Sequence, residues 1–107
     1  MRSESSHLRM LGSSPFATWR GLPLVFTSHG LLRTDDLGLD VRRVAELLDE
    51  SNDCKQRKRA RGILERCARW AGRGIRISLK RDYSPWVDGP AWVIINVKPY
   101  IGGRGYE

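Results

Sequence analysis

Residues 64–83 read LERCARWAGRGIRISLKRDY, and the second half of this stretch has the clearest pattern in the chain. Ile75, Ile77 and Leu79 alternate with polar side chains, which is typical of a strand with one buried face. Residues 71–74, AGRG, predict a two-residue turn of type II′ with Gly72 at its first central position. The stretch therefore predicts an antiparallel hairpin.

This turn predicts which residues of the two strands face each other. Trp70 is expected opposite Ile75 and, on the other face, Arg69 is expected opposite Arg76. Like charges that face each other on a sheet are destabilising unless an anion lies between them. Residues 57–70 also fit the apolar stripe of a helix, but the strand pairing separates apolar from polar side chains with Arg66 as its exception, so a strand is favoured.

The remaining pattern predicts further strands and helices. They are a strand at Leu22–Thr27, a helix from His29 to about Asp36 with Ser28 as N-cap, a helix from Val41 to about Glu50 with Asp40 as N-cap, and a strand at Ala91–Val97. The last strand is apolar on both faces and should lie inside the sheet. The predicted fold is α+β: one strand, two helices and a three-stranded antiparallel meander, with the helices on one face of the sheet.

The length of 107 residues fits one domain. We expect a flexible N-terminal tail at residues 1–20, a single α+β domain at residues 21–101 and a C-terminal tail at residues 102–107. The longest apolar runs are too short to span a bilayer, and the N-terminus lacks the apolar stretch of a secretory signal, so a cytoplasmic protein is expected.

The positive charge of the chain is concentrated in one segment. The net charge is +7, but residues 35–54 hold two basic and seven acidic side chains, whereas residues 55–81 hold eleven basic and one acidic. Clustered like charges repel each other and destabilise the compact state, and arginine is well shaped to bind phosphate oxygens. We therefore expect a polyanionic partner, with nucleic acid preferred over a basic face that only balances the acidic segment.

The candidate nucleic-acid-binding side chains come from this segment and the loop after it. They are Arg57, Lys58, Arg59, Arg61, Arg69, Arg73, Arg76, Lys80, Arg81 and Trp86. An aromatic side chain in a loop can stack on an unpaired base, whereas Trp70 and Trp92 occupy strand positions that favour core packing.

Several of these segments resemble the RelE/ParE toxin superfamily, and more narrowly its toxin-like families with a Ser-His helix start. The resemblance covers residues 22–98 and rests on Phe26-Thr27-Ser28-His29, the capped helix that begins LDVRRV, and the strands RGIRISLKRDY and AWVIINV. It implies a toxin-like protein that acts on RNA or on gyrase and is neutralised by an antitoxin. Ribonucleases of the superfamily act through basic side chains on the sheet and often a late tyrosine or histidine.

The sequence departs from that pattern because no histidine follows His29, although Tyr83 and Tyr100 are present. A proton acceptor that works near neutral pH is then missing from the later strands, so catalytic residues stay unassigned and ribonuclease activity stays open. Two alternatives remain: a non-enzymatic nucleic-acid-binding module, preferring RNA to DNA, and an interaction domain for an acidic protein such as an antitoxin.

The sequence carries no cofactor motif and predicts no metal site. Asp35, Asp36 and Asp40 are explained as helix-start residues, and His29 as a hydrogen-bonded structural residue. Cys54 and Cys67 lack the spacing of a zinc site, and on the argument that cytosolic thiols stay reduced we expect two free thiols.

Overall fold

The computed structural model describes residues 17–54 and 62–99. Within those ranges the chain forms six strands and two helices. They are β1 (Thr18–Trp19), β2 (Leu22–Phe26), α1 (Ser28–Asp36), α2 (Val41–Glu50), β3 (Asn52–Asp53), β4 (Leu64–Trp70), β5 (Arg73–Ser84) and β6 (Gly89–Pro99).

These six strands form one curled sheet in the order β1-β2-β6-β5-β4-β3. The α+β class is confirmed. The prediction of a three-stranded meander is wrong, because the sheet has six strands. β2 joins β6 as a parallel neighbour, while β1 and β3 extend the two edges as antiparallel strands. β6 lies between β2 and β5, which confirms the interior position expected for the strand that is apolar on both faces.

The hairpin between β4 and β5 turns through Ala71 and Gly72, whose φ angles are +52° and +80°. Two positive φ values are typical of a type I′ turn, whose twist matches that of the flanking strands. The turn therefore comes one residue earlier than the predicted type II′ turn, and the pairing moves by two residues. Arg69 lies opposite Gly74, so its predicted pairing with Arg76 is wrong.

The shift leaves each side chain on its predicted face, because side chains alternate with a period of two. Ile75, Ile77 and Leu79 are fully buried. We call the sheet face that carries them the inner face and the opposite face the outer face.

The helix α1 begins one residue earlier than predicted, because Thr27 is its N-cap in place of Ser28. The backbone N–H of Gly30 donates to Thr27 Oγ1 at 2.9 Å. The same hydroxyl lies 3.3 Å from the carbonyl oxygen of Ile94, to which it donates. Thr27 thereby caps α1 and joins its first turn to β6.

The helix α2 is confirmed over Val41–Glu50 with Asp40 as its N-cap. The backbone N–H of Arg43 donates to Asp40 Oδ1 at 2.8 Å. The buried face of α2 consists of Val44, Ala45, Leu47 and Leu48. In the ranges that the structure describes, no helix is long and apolar enough to cross a membrane.

The core lies between the helices and the inner face of the sheet. Its largest fully buried apolar side chains are Leu24, Val44, Leu48, Ile75, Ile77, Leu79, Ile94 and Val97. Trp19 of β1 also belongs to this core, with its ring centroid 5.1 Å from that of Trp92. The folded unit therefore includes residues upstream of residue 21, the predicted start of the domain.

Cys54 and Cys67 form a disulfide, with their Cα atoms 5.2 Å apart. The expectation of two reduced thiols is wrong. Both residues are buried, and the bond fastens the chain after β3 to the outer face of β4. Reduced thiols were expected because disulfides are rare in the cytosol and persist in oxidising compartments. That expectation does not hold for this pair.

Arg66, the exception in the predicted pairing, lies on the inner face. Its charge is paired there. The guanidinium donates to Ser51 Oγ at 2.8 Å, to the Ser51 carbonyl at 2.6 Å and to Asp53 Oδ1 at 2.7 Å. It also lies 5.5 Å from the centroid of the Trp19 ring. Arg66 therefore joins α2 and β3 to the sheet, and its charge is already paired within the protein.

Candidate nucleic-acid interface

The predicted nucleic-acid-binding residues fall into three groups. Arg57, Lys58, Arg59 and Arg61 lie outside the residues that the structure describes. Arg69, Arg76 and Lys80 lie on the outer face of β4 and β5, as predicted. Arg73, Arg81 and Trp86 lie elsewhere.

The outer face brings four cations together. Arg76 lies directly opposite Lys98 of β6. Arg69 lies opposite Gly74, two residues before Arg76, and diagonal neighbours of this kind are about 7–8 Å apart. Lys80 follows on the same face of β5. We call Arg69, Arg76, Lys80 and Lys98 the outer cationic cluster.

Two carboxylates lie beside this cluster. Glu65 Oε1 lies 3.7 Å from Arg76 Nε and accepts a hydrogen bond from Ser78 Oγ at 2.9 Å. Asp82 Oδ2 lies 3.4 Å from Lys80 Nζ, and both of these side chains are about half exposed. An exposed ion pair contributes little stability, so Lys80 can exchange its partner for another anion at small cost.

The cluster has more cations than the described carboxylates beside it. Among residues 17–54 and 62–99, this part of the sheet carries four cations and two acidic side chains, and Arg69 and Lys98 are exposed. Within residues 17–54 and 62–99, no carboxylate lies at salt-bridge distance from Lys98, in contrast with Arg76 and Lys80. The outer face therefore presents a net positive surface built on three neighbouring strands.

The other predicted residues within the described ranges do not join this surface. Arg73 lies opposite Trp70, and Arg81 lies opposite Trp92, so both follow the alternation of the inner face. Trp86 is half-buried in the turn between β5 and β6. The structure thus separates Arg73, Arg81 and Trp86 from the outer cationic cluster.

The aromatic side chains divide into packed and exposed ones. Trp70 and Trp92 pack against the core, which confirms the prediction from their strand positions. Tyr83 is 60% exposed, and its hydroxyl donates to Asp88 Oδ1 at 2.7 Å. The hydrogen bond to Asp88, together with desolvation, raises the pKa of Tyr83 above its ordinary value.

Among the described residues, the outer face carries cations and two carboxylates but no histidine or tyrosine. His29 is exposed on α1, and the Tyr83 phenol is protonated near neutral pH as in any tyrosine of ordinary pKa, about 10. Across residues 17–54 and 62–99 no group of three His, Cys, Asp or Glu side chains could hold a metal ion. The arrangement of the outer face is suited to binding an anion electrostatically.

No known protein family, curated protein or solved structure matches this chain.

Lys98 was not among the predicted site residues, because it lies beyond the predicted end of the last strand. β6 continues to Pro99, so Lys98 remains paired with β5. Its position also depends on a register shift at Ser78/Leu79. The alternation of Asn96 and Lys98 indicates an outward-facing lysine. Its partner Arg76 could be identified only from the register between β5 and β6.

Proposed function

We propose that this protein binds nucleic acid, RNA in preference to DNA, through the outer cationic cluster. The observation that carries the proposal is the position of Lys98 directly opposite Arg76, with Arg69 as the diagonal neighbour. Like charges opposite each other on a sheet are destabilising. Glu65 offsets part of that repulsion at Arg76. Phosphates lying across the strands would offset the rest, and the arginine fork binds two phosphate oxygens at once.

The basic run at residues 55–61 supports the same proposal. It begins one residue after Cys54, whose disulfide partner Cys67 lies opposite Arg76 on the outer face. The disulfide therefore holds Cys54, the last described residue before the run, against the strand that carries Arg69. We propose that the cations of the run take part in binding the same polyanion.

The choice of RNA, and a toxin-like role with an antitoxin as protein partner, rest on the resemblance to the RelE/ParE superfamily. We propose binding without cleavage as the basic activity. The described strands place cations on the outer face, whereas the histidine of the described ranges lies on α1 and Tyr83 follows the inner-face alternation of β5.

We also propose a cytoplasmic location, as expected from the sequence, because RNA is plentiful in that compartment. The Cys54–Cys67 disulfide is at odds with it, because cytosolic thiols are kept reduced. Alkylation of free thiols during cell lysis in denaturant, which exposes both buried cysteines, decides between the two: a cytoplasmic protein is modified at both cysteines, and an exported one is not.

Binding to labelled single-stranded RNA, double-stranded RNA and double-stranded DNA of equal length tests the function. We expect an electrophoretic mobility shift with RNA that weakens steeply as salt increases, since each neutralised phosphate releases a counterion. Intact RNA recovered from the shifted band supports binding without cleavage.

The other outcomes identify the alternatives. Shortened RNA would show an enzyme and overturn the non-catalytic proposal. Absence of any shift at low salt, with all three nucleic acids, would overturn the nucleic-acid proposal. The basic face would then be assigned to an acidic protein partner.

A further inference from the structure

A groove between α1 and the start of α2 contains none of the residues of the outer cationic cluster. Its volume is about 530 Å³, within the range of about 300–1,000 Å³ that is usual for ligand sites. The apolar part of its lining comes from Leu31, Leu32, Leu39 and Val41. Leu39 is buried in the core, so the groove is an open extension of the core surface.

Leu32 makes this groove unusual among the described surfaces. It is 57% exposed, and the other exposed large hydrophobic side chain in the described ranges is Tyr83 on the β5–β6 hairpin. A single exposed leucine on a flat surface needs no explanation. Here the leucine lies at a concave apolar site, where contact with a second apolar surface would remove it from water at a favourable free energy.

The groove is also acidic in a chain of net charge +7. Asp35 and Asp40 line it, and both residues are exposed. Asp40 Oδ1 accepts the capping hydrogen bond from Arg43, but a carboxylate can accept several donors. In the described ranges the neighbouring Arg33 pairs with Asp36, at 3.5 Å, and no cation lies within salt-bridge distance of Asp35.

We propose that this groove docks a short helical segment of a partner protein, in which leucine-type side chains share one face with lysine or arginine. The apolar side chains would cover Leu32 and Leu39, and the cation would reach Asp35 and Asp40. Helices bind grooves in this manner through apolar anchors at intervals of three and four residues. Nucleic acid does not fit, because phosphates would meet carboxylates and an apolar lining that offers few donors.

The test uses the full chain and a fluorescein-labelled peptide with leucines at helical spacing and lysines beside them. Fluorescence anisotropy measures binding. We expect Leu32→Ala to weaken it by at least about tenfold, as for an anchor side chain in a groove. Asp35→Asn should weaken it less and reduce its dependence on salt, because a screened charge pair is removed.

Tyr83→Ala is the matched control, since it removes the other exposed large hydrophobic side chain and should leave peptide binding unchanged. Thermal unfolding of each variant confirms that the fold is retained. Because Leu32 contributes nothing to the outer cationic cluster, Leu32→Ala should bind RNA as the wild type does.

Three results would overturn the proposal. The first is the absence of peptide binding, or binding that Leu32→Ala does not change. The second is equal binding of a peptide with glutamates in place of the lysines. The third is self-association in analytical ultracentrifugation that Leu32→Ala abolishes, which would assign the groove to a second copy of this chain.

Discussion

Lys98 of β6 lies directly opposite Arg76 of β5, on the sheet face away from the core. The neighbouring strand β4 contributes Cys67, which lies opposite Arg76 and forms the disulfide with Cys54. The basic run follows Cys54 in the sequence. Strands β4, β5 and β6 thus bring Arg69, Arg76, Lys80 and Lys98 to one surface. An anion bound there would interact with cations held at fixed spacings.

Lys98→Glu should weaken RNA binding and reduce the slope of log affinity against log salt by about 0.7–0.9 for each phosphate that is no longer neutralised. Filter binding over a series of salt concentrations measures both quantities. Arg33→Glu is the control, because Arg33 is an exposed arginine on α1 that pairs with Asp36. Equal effects of the two substitutions would show that only the net charge of the chain matters.

The disulfide should contribute substantially to stability. It joins residues 13 positions apart, and closing a loop of this size is worth about 3 kcal/mol through the unfolded state. Urea unfolding of the wild type with and without a reducing agent measures the loss, and the Cys54→Ser, Cys67→Ser double variant should not respond to the reducing agent. Two free thiols in the denatured, unreduced wild type would show that the bond does not form.

Sequence periodicity located most of the regular structure because burial imposes it. Ile75, Ile77 and Leu79 must all face the core, and the cap at Asp40 fixes the start of α2. Periodicity does not determine the position of the hairpin turn. Pairings that differ by two residues bury the same side chains, and the choice between them depended on Ala71 adopting positive φ, which is unusual for alanine.

The candidate site was predictable only to the extent that it depended on local pattern. The outward positions of Arg69, Arg76 and Lys80 follow from alternation, whereas Lys98 opposite Arg76 depends on a register that residues far apart in the chain determine together. The two-residue strands β1 and β3 are too short to show any period. The disulfide was missed because cysteine pairing depends on spatial proximity and compartment.

Gly30→Ala should destabilise the protein even though alanine favours a helix by about 1 kcal/mol over glycine. A Cβ atom at this position would lie 2.4 Å from the carbonyl oxygen of Ile94, so α1 would have to move away from β6. We expect a net loss of about 1–3 kcal/mol, the usual cost of overpacking, measured by urea unfolding. His29→Ala is the control in the same helical turn, with an exposed side chain. Greater stability of Gly30→Ala would show that α1 does not approach β6 so closely.

Tyr83 should lose its proton at higher pH than an ordinary tyrosine, because its hydroxyl donates to the Asp88 carboxylate. Since the folded-state pKa is raised, the stabilisation from this hydrogen bond is present below the unfolded pKa of about 10 and is lost as pH rises through the folded value. Phenolate absorbance during titration measures the pKa, and subtraction of the Tyr83→Phe curve isolates Tyr83 from the other two tyrosines. Asp88→Asn should lower the pKa of Tyr83, because it removes the negative charge that disfavours the phenolate. Asparagine is chosen because it tolerates the positive φ of residue 88. An unchanged curve for Asp88→Asn would mean that the hydroxyl and the carboxylate do not interact in solution.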